Sequence, residues 1–421
     1  MVNDAFDFKP QFYHDFQCIG TDCVDSCCTH WHISVDKPTY QFMIYKSKLK
    51  AEASQAFQPT QQGHDFAEVR LDSNQRCPML TATNLCRIQI EDGLEHLPNT
   101  CRLFPRQSLQ RGLHLTEHTL LMSCPEATRK ILFEPSSMNF QRFDVPNVTT
   151  KHYADYHRPS WYHDVKTWVL QTVEQPQHIF ESKLYTIGFA IERLLRYVGH
   201  EENFNRHLLS IQQVNFQAVL QTQFKQSLVQ LNQQVHFFMF MLVHLTSDKH
   251  QKLRRQNPRL QSLLSLVTEA LPPDKRPVAF VKEVLSQPLS EEAGADMQLV
   301  WCNYFKYSVY NSDFPAQSMG HFWYKFGYEF IFLRTLILLF SKQGVLTQER
   351  IILVFQSFHK ALQGRVFQQL LHAYEQEKQQ QGVSLSSPLN WLLLPPFKST
   401  MKTRAGSTIA ANLGESTLVV E

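Results

Sequence analysis

The sequence predicts a mainly α-helical protein, with an N-terminal cysteine-rich metal-binding module followed by an α-helical bundle. Three observations predict it. Apolar residues recur at helical spacing through the second half of the chain. Glycine is scarce, 14 residues in 421, and no strand–helix alternation runs along the chain. Eight of the nine cysteines lie between Cys18 and Cys124, and only Cys302 lies beyond them. Random use of cysteine in a core would not segregate it in this way.

A chain of this length can bury a core in each of two or three domains, so it does not need disulfides to stay folded. The net charge is +3, which gives no general argument for nucleic acid or for an anionic membrane. The N-terminus "MVNDAFDFKPQFYHDF" lacks a basic stretch followed by an apolar run, so a signal peptide is not expected. The longest apolar stretches, "FFMFMLV" and "LILLF", fall well short of the roughly 20 residues of a membrane helix. A cytoplasmic protein without a membrane span is the expectation.

Residues 1–135 form the expected cysteine-rich module, made of short segments and many turn residues. A helix is expected after Pro38, in "VDKPTYQFMIYKSKLKAEA". "LCRIQIEDGLEHLPNTCRLFPR" reads as a strand or turn, a short helix and a loop. Residues 136–178 are polar and aromatic and read as a connector with one helix, "YHDVKTWVLQTVE". Residues 179–397 are the expected helical domain. Ile187, Ile191, Leu194 and Val198 share one face. A longer stripe runs through Leu220, Phe224, Leu228, Leu231, Val235, Phe238, Leu242 and Leu245. Ile351, Phe355, Phe358 and Leu362 form a third, with Thr347 as N-cap and Glu349 in the first turn. The tail, 398–421, has no helical period and is expected to be flexible.

The cysteines run C-x4-C-x3-C-C, then Cys77, Cys86, Cys101 and Cys124. In a reducing compartment such a cluster reads as metal-binding or catalytic. Cys18, Cys23, Cys27, Cys28, Cys77, Cys86, Cys101 and Cys124 would serve two four-ligand sites, or one site and a set of redox or structural thiols. Soft thiolates suit zinc or an iron–sulfur cluster. Cys77-Pro78 and Cys124-Pro125 favour the cluster, because a Cys-Pro pair ends the bacterial ferredoxin ligand run. Proline also extends the residue before it. No C-x2-C knuckle argues for zinc. Cys27 and Cys28 are adjacent, so their side chains diverge, and only one of them is expected at a given site. The C-x3-C-x2-C pattern of radical enzymes and the G-x-G-x-x-G nucleotide loop are both absent.

"FQCIGTDCVDSCCTHWHISVDKPTY", "CPMLTATNLCRIQIEDGLEHLPNTCRLFPR" and "LMSCPEA", in that order, resemble the flagellin lysine-N-methylase family (FliB). That family lies within a wider cysteine-cluster family regarded as zinc- or iron-chelating. The resemblance is specific over Phe16–Ala127. His30 departs from it, since a small residue such as glycine is expected before Trp31. The departure bears on loop geometry and not on ligation. The resemblance implies methylation of flagellin lysines from S-adenosylmethionine, with a 4Fe-4S cluster. One open iron could chelate the donor's amino and carboxylate groups, or the cluster could be a staple between distant segments.

A lysine ammonium, with pKa near 10.4, must lose a proton before it attacks the sulfonium methyl. No catalytic base stands out in the sequence. Arg102 and Arg106 flank "LFP" beside Cys101 and are candidates to clamp a carboxylate of the cofactor, or a plain surface pair. Asp25 could orient a ligand, accept the lysine proton or cap a turn. Trp301, Tyr304, Phe305, Trp323, Tyr324 and Tyr328 could cage a cation or form ordinary core. His14, His30 and His32 lie near the cysteines. The competing readings are a non-catalytic zinc or iron interaction module and a redox protein.

Overall fold

The structure is a computed structural model of the chain. It describes residues 5–60, 65–111, 115–145, 158–176, 179–212, 227–272, 277–287, 289, 291–315 and 318–382. Helices dominate it, as the spacing of apolar residues predicts.

The first element is a strand, β1 (Ala5–Pro10), and it belongs to the large body. It pairs antiparallel with β7 (Phe140–Val145) and parallel with β6 (Leu115–Leu120). β5 (Arg106–Gln110) forms a hairpin with β6, registered Arg106↔Leu120 to Gln110↔Thr116, which gives the order β5-β6-β1-β7. Parallel neighbours need a long crossover. Here the crossover carries a second small sheet, β2 (Ser34–Val35), β3 (Phe57–Pro59) and β4 (Ala67–Val69), in the antiparallel order β2-β4-β3. Most of the cysteines lie within this insertion.

The expected helix after Pro38 is Lys37–Tyr45, capped by Asp36, whose carboxylate accepts from Thr39 N at 3.1 Å. A second helix, Lys50–Ala56, follows. In "LCRIQIEDGLEHLPNTCRLFPR" the chain makes two short helices, Arg87–Glu91 and Asn99–Leu103, joined by the turn Leu94–His96.

Two apolar cores divide the chain differently from its composition. The smaller holds twelve buried side chains between Ile33 and Leu97, with Cys77, Cys86 and Cys101 packed against it. Phe12, Phe16, Leu120, Met122, Cys124 and Ile131 join the larger core with the helices. The stretch expected as a connector supplies β7 and the helix Tyr162–Glu174, which buries Val165, Val169 and Val173. The helix Met319–Lys342 is central, and every residue from Phe326 to Phe340 is buried. It packs on the helices Phe180–Leu195, Ser227–Thr246, Pro258–Ala270, Pro277–Ser286 and Gln348–Ser357. Among the described residues no helix is long and apolar enough to cross a membrane.

The stripes end where geometry requires. Ile187, Ile191 and Leu194 are buried, but Val198 lies past the end of its helix and is half-exposed. Leu231, Val235, Phe238, Leu242 and Leu245 are buried, whereas Leu220 and Phe224 lie outside the described residues, as does the tail. Thr347 caps Gln348–Ser357 by accepting from Arg350 N, with Glu349 in the first turn. The stripe then continues into a π-helical turn, Phe358–Leu362.

Candidate metal centre

The segment from Cys18 to Trp31 is irregular, and hydrogen bonds fix its course. Gly20 takes a positive φ of 56° at the start of a 3₁₀ turn, Gly20–Asp22, where a side chain would be strained. The Cys23 thiol donates to Asp25 O, and Cys28 N to Ser26 Oγ. His30 has φ 64°, so the position expected to hold a small residue does require the left-handed conformation.

Two backbone bonds lay this segment against the next cysteine: Cys77 N to Cys28 O and His30 N to Gln75 O, both 2.9 Å. A turn brings in Cys86 through Leu80 N to Cys77 O and Arg87 N to Met79 O. Cys86 is extended and stands at the residue before Arg87–Glu91, where its side chain makes no capping bond. Cys101 rides on Asn99–Leu103, which is docked by Asn99 N to the Asp36 carboxylate at 3.0 Å and by Ser34 Oγ to Thr100 Oγ1 at 2.6 Å. Cys124 is extended before Pro125, as a residue preceding proline prefers, and stands at the start of Pro125–Phe133.

Cys18, Cys27, Cys28, Cys77, Cys86 and Cys101 all line one cavity of about 550 Å³. Burial pushes up the thiols of Cys23, Cys77, Cys86, Cys101 and Cys124, Cys77 to about 11 and Cys124 to about 12. A hydrogen bond from the Cys28 thiol lowers Cys27, helped by Lys360, and the same bond with burial raises Cys28. The thiols also repel one another. Cys77 and Cys101 act on Cys28, Cys86 acts on Cys77 and Cys101, and Cys27 acts on all four. Cys124 feels Cys23 and Cys27, and Cys23 feels Cys18 and Cys27. Cys27 acts on the thiols of both groups and is hydrogen-bonded to Cys28, so the adjacent pair is drawn together at the thiol cavity.

Among the described residues no three His, Cys, Asp or Glu side chains are gathered tightly enough, as they stand, to hold one metal ion. A zinc ion would draw four donors to about 2.3 Å from a single point. An iron–sulfur core distributes its thiolates over separate iron atoms and so accepts a wider spacing.

Arg102 and Arg106 both border this cavity. Arg102 donates to Asn99 Oδ1. Arg106 donates to Phe16 O at 3.0 Å and lies over the Phe16 and Tyr13 rings, which ties β5 to the chain just before Cys18. Asp25 is held by the body: Lys360 Nζ at 2.7 Å and Gln356 Nε2 at 2.6 Å both reach Oδ2, and Gln356 also donates to Ser123 O. Arg259 in turn donates to Gln356 Oε1. These body residues escape sequence reading, because one Lys and one Gln beside an apolar stripe look like any helix surface. A π-turn such as the one carrying Lys360 is a frequent feature of functional sites.

His32 pairs with Glu68 at 2.9 Å, and His30 lies close enough to Lys360 to feel its charge. Trp301, Tyr304, Phe305, Trp323 and Tyr328 are buried core, and Tyr324 packs beside Tyr328.

A family model described as the FliB lysine N-methylase C-terminal domain matches residues 168–381. A protein named lysine-N-methylase from Salmonella choleraesuis strain SC-B67 is 32% identical over 140 residues, 31% of this chain and 33% of that protein. Its counterpart from Salmonella typhimurium strain LT2 is 31% identical over 140 residues, with the same coverage. The alignment thus spans about a third of the length of these two relatives. The flagellar biosynthetic protein FliU of Salmonella muenchen is 32% identical over 135 residues, 31% of this chain and 79% of that protein. No solved structure is a significant match.

Proposed function

The chain belongs to the FliB lysine N-methylase family, and from that membership we propose that it methylates lysine side chains of flagellin, taking the methyl from S-adenosylmethionine and carrying cysteine-ligated iron–sulfur as its resident cofactor. The observation that carries the reading is the union, in one chain, of the matched helical body with a thiol-bearing segment docked on it through Asp25, Lys360 and Gln356.

The proposal divides the thiols into two sets of four. Cys28, Cys77, Cys86 and Cys101 would hold one cluster. Cys18, Cys23, Cys27 and Cys124 would hold the other. Each set joins segments far apart in sequence, and the twelve-residue core of the insertion is small for its length. Metal ligation would therefore supply folding energy to the insertion. S-adenosylmethionine, when bound, supplies an electrophilic methyl on a sulfonium. The chain's own tasks are to seat an ε-amine, take its proton and keep water from the sulfonium. Arg102 and Arg106 border the thiol cavity and are the proposed contacts for the donor's carboxylate.

The test is anaerobic purification with iron, sulfide and zinc analysis, followed by transfer of labelled methyl from S-adenosylmethionine to flagellin. Brown protein with broad visible absorption and labelled flagellin is the expected result. Cys23→Ser or Cys86→Ser should lower both iron content and soluble yield. Colourless protein with stoichiometric zinc and no iron after reconstitution would sink the cluster. Fully metallated protein without transfer would leave a non-catalytic metal module.

A further inference from the structure

Beside the thiol neighbourhood the helical body holds a second cavity, of about 420 Å³. This lies within the range of small-ligand sites, about 300–1,000 Å³. Its rim is polar and exposed, with Gln107, His321, Gln363 and Gln368. Its floor is buried and aromatic, with Tyr307, Phe314 and Phe326. No described residue lines both cavities, but they approach each other at β5, where Arg106 borders the thiol cavity and its neighbour Gln107 borders this one.

Glu329 lies in this cavity and is only 3% exposed. A carboxylate among aromatic rings attracts a cation, and the ring faces add to the attraction. The structure holds such a cation there. The ε-ammonium of Lys325, one turn earlier on the same helix, stands 3.5 Å from Glu329 Oε1. Tyr304 donates to Oε2 at 3.4 Å. Lys325 is partly exposed, so its flexible side chain has a path to solvent.

We propose that this cavity receives the acceptor lysine of the protein substrate, that Glu329 seats its ε-ammonium and takes its proton, and that Lys325 occupies the seat until the substrate arrives. The assignment rests on the methyltransferase reading. The polar rim suits a side chain inserted from a folded partner, and the aromatic floor suits its aliphatic stem. Burial raises the Glu329 carboxyl, which brings it nearer to the amine it must deprotonate. One proton passes from the ammonium to the Glu329 carboxylate. The freed nitrogen pair forms the N–C bond as the donor's C–S bond breaks. The C–S electron pair stays on sulfur as a neutral thioether, and the proton leaves Glu329 for solvent by way of the rim.

The two residues of the pair should respond in opposite directions, which a merely structural ion pair would not do. With full-length protein, labelled S-adenosylmethionine and titrated flagellin, Glu329→Gln should lower kcat/KM about 10²–10⁴-fold. Its far-UV circular dichroism, iron content and S-adenosylmethionine binding by equilibrium dialysis should match wild type. Lys325→Met should lower KM for flagellin, because the competing ammonium is gone. Glu329→Gln with kcat and KM within about twofold of wild type would overturn the assignment. So would a raised KM in Lys325→Met, and that variant decides alone if the buried Gln prevents folding. Wild-type protein that transfers no methyl would defeat the methyltransferase reading and this inference with it. An active wild type with an unaffected Glu329→Gln would defeat the inference only.

Discussion

His30 sits at φ 64° between Cys28 and Trp31, a conformation that disfavours a residue with a Cβ by about 1–2 kcal/mol. Its backbone N–H bonds to Gln75 O, a contact that any residue can make. Glycine at this position would relieve the strain and give back part of the gain through the freedom of the unfolded chain. We therefore expect His30→Gly to raise stability by roughly 0.5–1 kcal/mol, read as a higher denaturation midpoint, with unchanged iron content. A lower midpoint would mean that the imidazole does more beside Lys360 than the backbone geometry requires. Asp25 shows the opposite case, a residue whose meaning lies in its partners. Between two cysteines it looks like a turn former, but its carboxylate is the point at which the helical body grips the thiol segment.

Among the elements, the cap at Asp36 links local propensity to the site. The carboxylate accepts from Thr39 N, which starts the helix Lys37–Tyr45, and from Asn99 N, which docks the short helix bearing Cys101. Desolvation raises the Asp36 carboxyl, and the bonds from Asn99 and Thr39 more than offset it, so its pKa lies below the ordinary value. The sign follows from the depressed pKa. This contribution is fully present above the unfolded-state pKa, near 4, and is lost as pH falls through the lower folded value. Asp36→Ala should destabilise by about 1–2 kcal/mol at neutral pH, and the difference from wild type should shrink in acid. Cys101 should also become more reactive toward a thiol reagent in the metal-free variant. Equal stability of variant and wild type at neutral pH would show that the cap is dispensable. The π-turn Phe358–Leu362 belongs at this scale too. It departs from a plain α-helix where Lys360 reaches Asp25.

For the whole molecule, the topology joins the two parts more tightly than a linker would. β1 lies between β6 and β7, and Phe12 and Phe16 are buried in the large core. A fragment of residues 1–135 would lose β7 and the helices that cover Phe12, Leu120 and Ile131. Leaving even one such phenylalanine exposed to water costs about 1.5–3 kcal/mol. We expect that fragment to be insoluble or molten, and to transfer no methyl to flagellin. A soluble fragment with sharp, dispersed amide resonances would show that the insertion and its flanks fold independently of the body.

Much was legible in the sequence because it is local. The helices from Tyr162 onward, the cap at Thr347 and the extended Cys124 before Pro125 depend on neighbours within a turn or two, and hydrophobic spacing or a single side chain specifies them. The clustering of eight thiols was visible for the same reason, since it is a fact of composition. The membership of β1 in the body, the gathering of six thiols on one cavity, the grip of Lys360 and Gln356 on Asp25 and the seat of Lys325 on Glu329 were decided only by tertiary structure. Asp25 and Lys360 lie 335 residues apart in sequence, and no local pattern marks one lysine as the partner of a distant aspartate. Parallel pairing across a long crossover leaves no period in the sequence, and the charge on a buried glutamate has no meaning until the surrounding rings have removed the water.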